Sequence, residues 1–252
     1  MANWRWDVFC EDTLNNEVVA GCFASGHDQT YLQWMLNAWG WTVSVSLTAL
    51  FVALVLGSII GTFHTLPDSP SLVRFGNAWV ELFRNIPLLV QVFLWYFVLP
   101  KMIPPMKALP PFVLIVCALG FFTSARIAEQ LRAGIQALPR GQRYAGMALG
   151  FTTPQYYRYV LLPMAYRIIM PPLTSESMNI FKNSAVAFAV SIPELAQFYL
   201  QAGEETSAQV EIYIGVVILY TISALAVNRV MSFIERKTRV PGFVAAGGAG
   251  GH

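Results

Sequence analysis

The sequence predicts an all-α polytopic membrane protein, and three observations carry that fold class. Of its 252 residues, 56% are hydrophobic and only 12% are charged, against about 25% charged in soluble domains. The apolar residues gather into uncharged runs of the length needed to cross a hydrocarbon layer of about 30 Å. Lys and Arg fall almost entirely between alternate runs, the bias that marks segments left on the cytoplasmic side. Five transmembrane helices, N-terminus outside and C-terminus inside, satisfy all three.

Residues 1–37 read as an N-terminal segment outside the membrane, mixed polar and acidic. It lacks a basic stretch followed by an apolar core, so no cleavable signal peptide is expected and the first membrane helix must direct insertion. Cys10 and Cys22 pair there if the compartment is oxidising, or stay as two thiols. Together with Cys117 they show no metal-ligand spacing. The first run, Thr30 to Phe63, contains no charge, and Trp34, Trp39 and Trp41 mark an aromatic belt at one interface. The second, Ile86 to Pro100, follows an amphipathic stretch from Trp79 to Asn85. The third, Ala108 to Ala125, is extended by Arg126 to Gly134. The fifth is Ile212 to Asn228. Residues 241–252, with Gly247 to Gly251, read as a flexible tail.

The fourth run, Met164 to Gln201, holds Arg167, Glu176, Lys182 and Glu194, and hydropathy alone rejects it. Charge bias restores it. With five spans the inner segments hold 12 basic residues: Arg74, Arg84, Arg126, Arg132, Arg140, Arg143, Arg158, Arg167, Arg229, Arg236, Lys237 and Arg239. The outer segments hold 3, Arg5, Lys101 and Lys107. Four spans would put the basic loop and the basic tail on opposite sides. No internal repeat is visible, and an odd span count argues against inverted repeats.

Between the third and fourth runs lies a basic, Gly/Pro-punctuated elbow at about 129–163. Glu129 and Arg132, three apart, share one helix face. Leu138-Pro139-Arg140-Gly141 is a turn signal. Gln142 to Leu149 reads as a short helix that Gly150 ends as a C′ glycine. Thr153-Pro154 supplies an N-cap and a proline at the first helical position. A second helix follows to Leu162, and Pro163 is expected to break the chain before the fourth span. Such an elbow presents a shaped surface to a cytoplasmic partner. An ordinary amphipathic loop drawn to the headgroups by its arginines is the competing interpretation.

The spacing Tyr144-Ala145-Gly146, three residues, Gly150, nine residues, Val160, one residue, Leu162-Pro163 resembles the cytoplasmic loop motif of ABC importer permeases. That motif runs Glu-Ala-Ala, three residues, Gly, nine residues, Ile, one residue, Leu-Pro. The chain departs from it at Tyr144, Gly146 and Val160. Glu81-Leu82-Phe83-Arg84-Asn85-Ile86-Pro87-Leu88-Leu89-Val90-Gln91, Glu129-Gln130-Leu131-Arg132, Leu138 to Gln142 and Ile180-Phe181-Lys182-Asn183-Ser184 are similar to permeases for polar amino acids. Phe93 to Tyr96, Tyr157 to Pro163, Pro171 to Glu176 and Glu235-Arg236-Lys237 resemble the larger permease subunits of glutamate/aspartate importers. The likeness covers about Gly40 to Pro241.

The resemblance implies a type I ABC importer permease core over residues 38–240, in a bacterial inner membrane. It implies two ATPase subunits that bind ATP-Mg, a second permease, different rather than identical, and a periplasmic amino-acid-binding protein. The chain itself has no Gly-x4-Gly-Lys-[Ser/Thr] phosphate cradle, so it is expected to be a non-catalytic subunit without a cofactor. Tyr144, Ala145, Gly146, Gly150, Val160, Leu162 and Pro163 would carry ATPase coupling, with Glu129 and Arg132 tying the third span to the elbow. Pro87, Pro171 and Pro172 are candidates to kink spans around a cavity.

Charge inside a membrane costs about 2.5–3.5 kcal/mol on insertion scales. Glu176, Lys182, Asn183 and Ser184 are therefore candidates for the substrate path, with Lys182 attracting a substrate carboxylate. The alternative is an internal pair of Lys182 with Glu176 or Glu194. Glu176 and Lys182 are six apart, a poor separation on one straight helix. Arg126, at the inner end of the third span, reads first as a cytoplasmic anchor. The acidic stretch Gly203 to Glu211 is expected to help receive the binding protein. A self-contained channel or secondary transporter, an intramembrane enzyme and a passive scaffold are the rival classes. His27, His64 and His252 are scattered, and no nucleophile–base pair or metal cluster is visible among the spans.

Overall fold

The structure is a computed structural model and describes residues 4–23 and 29–238. The glycine tail at 241–252, Arg239 and His27 lie outside the described residues. Among the described residues, apart from two isolated antiparallel bridges, Glu11 with Val18 and Asp12 with Thr30, the regular structure is helical. After a short 3-10 turn, Trp6–Cys10, come α1 (Tyr31–Phe63), α2 (Pro70–Asn85) and α3 (Leu88–Met102). Then follow α4 (Pro111–Gln136), α5 (Arg140–Ala148), α6 (Thr153–Tyr156 continuing to Asn183), α7 (Leu195–Thr206) and α8 (Gln209–Thr238).

α1, α4 and α8 are long and apolar enough to cross a membrane. α2 and α3 pass that test only as a pair, bent by 103° at Ile86–Pro87. The bend has a local cause: a residue before proline is pushed out of the α region, and Ile86 is extended at ψ 127°.

The fourth apolar run is not one helix. α6 ends at Asn183, a 3-10 segment spans Ser184–Val190, Ser191 adopts a left-handed conformation, and α7 starts at Leu195. Pro163 does not break the chain as expected. α6 runs through it because Tyr157–Leu161 forms a π turn. The N–H of Leu162, the residue just before the proline, bonds back five residues to the Tyr157 carbonyl. The wider turn lets the helix continue past a residue with no N–H to give. α3 repeats the device before Pro100, with Leu99 N–H on the Leu94 carbonyl.

Two compact units emerge. The first comprises Met1–Leu50, Pro87–Leu119 and Asn179–Ala226. Its core gathers Val8, Tyr31, Met35, Leu195, Phe198 and Ile212. The N-terminal segment is built into it. Cys10 and Cys22 form a disulfide, which settles the open pairing. Arg5 donates its backbone N–H to Glu211 at 2.8 Å, one guanidinium nitrogen to the Thr206 carbonyl at 3.2 Å and another to Glu11 at 2.6 Å. The Tyr31 hydroxyl meets Glu205 at 3.2 Å. Glu205 and Glu211, expected to face a partner, are thus engaged by this chain's own N-terminal segment. The disulfide closes a loop of 12 residues, which stabilises the segment by about 3 kcal/mol in the loop-entropy account. A Cys10→Ser/Cys22→Ser variant is expected to insert normally but to show at least tenfold faster proteolysis or amide exchange within residues 4–23, roughly what half that energy allows.

The second unit comprises Phe51–Ile86, Gly120–Met178 and Val227–His252. Its core runs from Ala53 through Ile127, Leu131 and Ile135 to Tyr156, Leu161 and Ala165. A smaller cluster sets Val80, Trp79 and Phe83 of α2 against Ile60 and Ala125. Trp79 donates its indole N–H to Ser124 at 3.1 Å, satisfying a polar atom that apolar surroundings would otherwise strand.

Candidate functional site

The elbow belongs to the second unit. α5 ends in a Schellman arrangement: Gly150 N–H bonds the Met147 carbonyl at 3.0 Å and Phe151 N–H bonds the Gly146 carbonyl at 3.1 Å. Gly150 holds φ +78°, the left-handed position that glycine fills without a Cβ penalty. The next helix is capped one residue earlier than expected. Thr152, not Thr153, is its N-cap, and Gln155 accepts the Thr152 N–H at 2.9 Å. Pro154 then falls inside the first turn, where no partner for its nitrogen is needed.

The motif residues divide by environment. Tyr144 is 68% exposed, Met147 58% and Leu149 76%, with Ala145 and Gly150 also open. Gly146 is buried, and a Cβ there would come 2.9 Å from the Tyr156 ring. Glycine at the third motif position is thus matched to the buried Tyr156. Val160 and Leu162 are half-buried and pack on the core of the unit, while Pro163 is exposed. Tyr157, buried beside them, donates its hydroxyl to the Thr65 carbonyl, two residues past the end of α1. What joins elbow to spans is this apolar packing and the continuous α6. Glu129 and Arg132 form a two-bond pair at 2.5 and 2.9 Å, and Arg132 also reaches Gln136 at 2.6 Å. All of these bonds stay within α4, so the pair stiffens that helix rather than bridging to the elbow.

The two glutamates of the fourth run have specific partners. Arg126 is not just an anchor: its Nε donates to Glu176 at 3.1 Å, and Gln130 donates to the same carboxylate oxygen at 3.4 Å. Glu194, fully buried, is the N-cap of α7. It accepts the N–H groups of Ala196 at 2.9 Å and Gln197 at 3.0 Å, and the Tyr220 hydroxyl at 2.7 Å. Thr42 Oγ1 accepts the Leu195 N–H at 3.2 Å. Neither glutamate is a partner of Lys182, which is exposed at the last turn of α6, a position that suits a cation. Asn183 is half-buried and Ser184 buried, its hydroxyl on the Phe181 carbonyl at 2.7 Å. The Glu194 cap was missed in the sequence, although Ser191-Ile192-Pro193-Glu194 is a turn signal.

Among known proteins, the family described as binding-protein-dependent transport system inner membrane component matches residues 53–240. The glutamate/aspartate import permease protein GltJ of Escherichia coli (strain K12) is 40% identical over 95% of this chain and 97% of its own length. The glutamate/aspartate import permease protein GltK of Escherichia coli O6:H1 is 28% identical over 82% of this chain and 94% of its own. A crystal structure of an amino acid ABC transporter with histidines aligns with TM-score 0.71 and 28% identity, over 82% of this chain and 95% of that one. The chain therefore belongs to the binding-protein-dependent transport system inner membrane components, as a non-catalytic ABC importer permease of the polar amino-acid class.

Proposed function

We propose that this chain is one of two different permease subunits of an ATP-driven importer for acidic amino acids, glutamate and aspartate. The observation that carries the reading is the likeness to GltJ along 95% of the chain. The lower likeness to GltK supports a second, different permease beside it. Two ATPase subunits bind ATP-Mg, and a periplasmic binding protein delivers the substrate. The membrane is the bacterial inner membrane. Five spans, N-out and C-in, fit the charge bias, and the Cys10–Cys22 disulfide supports an outer, oxidising N-terminus. The permease domain is 38–240, between an outer segment at 1–37 and a tail at 241–252.

The elbow is the coupling element. Its exposed Tyr144, Ala145, Met147 and Leu149 meet the ATPase, and Gly146, Val160, Leu162 and Pro163 shape the helix pair behind them. Closure of the ATPase dimer on ATP displaces the elbow as a body, and α6 carries that displacement into the membrane. A helix stopped by a hydrogen-bonded turn transmits displacement where a floppy loop would absorb it.

Glu176, Lys182, Asn183 and Ser184 belong to the substrate path. Support comes from the engagement of both candidate glutamates elsewhere, which leaves Lys182 without a carboxylate among the described residues. A second reading, import of another polar amino acid, is favoured by the 28% likeness to an amino acid transporter with histidines. Reconstitution in liposomes with ATPase, second permease and binding protein decides between them: ATP-dependent glutamate uptake, competed by aspartate and not by glutamine or histidine, is expected. Lys182→Ala is expected to lower that uptake about tenfold, the worth of one hydrogen-bonded charge, with the complex still assembled. Equal loss of subunit association would make Lys182 a structural residue, and solute movement without ATP would return the channel reading.

A further inference from the structure

The second unit holds a part-exposed cation that its ion pair does not exhaust. Arg126 lies ten residues from the end of α4, about 15 Å along the helix at 1.5 Å per residue. Its Nε is fixed by Glu176 at 3.1 Å, and its guanidinium carbon stands 5.8 Å from the Phe122 ring centroid, one helical turn earlier. Glu176 is buried, with its side chain 8% exposed, whereas that of Arg126 is 42% exposed. Among the described residues neither terminal nitrogen of Arg126 donates to any acceptor. A guanidinium spends one donor on positioning and keeps a two-pronged edge for a ligand, the fork that matches a carboxylate. A charged edge of this kind calls for water or a polar partner rather than lipid.

The surroundings fit an amino acid. Glu176 takes both Arg126 and Gln130 on a single oxygen. Its second oxygen has no donor among the described residues, and buried Gln130 Oε1 has none either. A cationic fork beside unspent acceptors complements a carboxylate and an ammonium carried by one small molecule.

We propose that Arg126 binds a carboxylate of the transported amino acid, and that Glu176 is its positioning residue. This deepens the importer reading above and rests on the chain carrying an amino acid, not on that amino acid being acidic.

The test uses the assembled complex in liposomes, with uptake of labelled glutamate and of labelled glutamine measured side by side. Co-purification of the ATPase and binding-protein-stimulated ATP hydrolysis serve as controls. Arg126→Gln is expected to cut uptake roughly thirtyfold or more, the cost of stranding one partner of a buried charge pair. Arg126→Lys keeps the charge and loses the fork, and is expected to raise the half-saturating substrate concentration while the complex stays intact. The swapped Arg126→Glu/Glu176→Arg variant restores an ion pair but moves the cation, so it is expected to assemble and stay inactive. Near-wild-type uptake in the lysine or the swapped variant would overturn the assignment, as would loss of subunit association in the lysine variant. If the wild type carries glutamine and not glutamate, the acidic-substrate reading falls, and the same variants then test Arg126 on glutamine uptake.

Discussion

Gly150→Val is expected to remove transport while leaving the protein in the membrane. The position has φ +78°, and nothing lies within 4 Å of where a Cβ would stand. The penalty is therefore backbone strain rather than collision. A left-handed residue with a Cβ costs roughly 1–2 kcal/mol, and a β-branched one sits at the upper end. Straightening the turn gives up the hydrogen bonds from Gly150 and Phe151 that close the C-terminus of α5 and set the angle at which the chain enters α6. An energy of that size corresponds to at least about a tenfold loss of the correctly shaped elbow. ATP-dependent uptake should fall by at least that factor, with unchanged membrane yield. Gly150→Asn, which tolerates the same conformation at lower cost, should keep most of it. Wild-type uptake by the valine variant would sink the coupling role.

The second large effect is expected at Gly61, and it concerns assembly of the fold. Gly57 and Gly61 of α1 lie four apart, the spacing that lets two membrane helices approach backbone to backbone. A Cβ on Gly57 would come 2.7 Å from the Ile127 Cβ, and one on Gly61 would come 2.8 Å from the Ala128 carbonyl oxygen. The second obstacle is backbone and cannot rotate away. Ser58, between the two glycines, accepts the Tyr166 hydroxyl from α6, so three helices meet at this stripe. Gly61→Leu should cost about 3 kcal/mol or more, the upper range for overpacking a tight contact. The expected readout is a sharp fall in membrane yield and in thermal stability of the purified complex, before any transport assay. Gly40→Leu is the control, since nothing lies within 4 Å of its Cβ position. Equal stability of the Gly61 and Gly40 variants would refute the packing argument.

Much of the elbow was legible because its signals are local. Gly150 stops α5 through a turn that involves only neighbouring residues. The thread through Pro163 was not legible. Whether a proline ends a helix depends on whether the preceding turn can widen, and Tyr157–Leu161 does so while Tyr157 is held by Thr65, 92 residues away. Glu176 and Lys182 lie six residues apart, a poor spacing for a pair on one helix, but the sequence does not say what else Glu176 meets. Glu176 instead meets Arg126, 50 residues away. The break between α6 and α7 is likewise secured at a distance: Glu194 is held by Tyr220, 26 residues on.

By itself, the sequence determined the helical membrane class, the family and the position of the elbow. Apolar run length, basic bias and turn glycines act through the solvent and the local backbone, so a linear reading captures them. The tertiary structure alone decided which buried charges are satisfied and by whom, where apolar runs bend or continue, and how the small residues of α1 are used. In a low-dielectric interior each polar group must find a partner close in space, and nearness in space is not written as nearness along the chain.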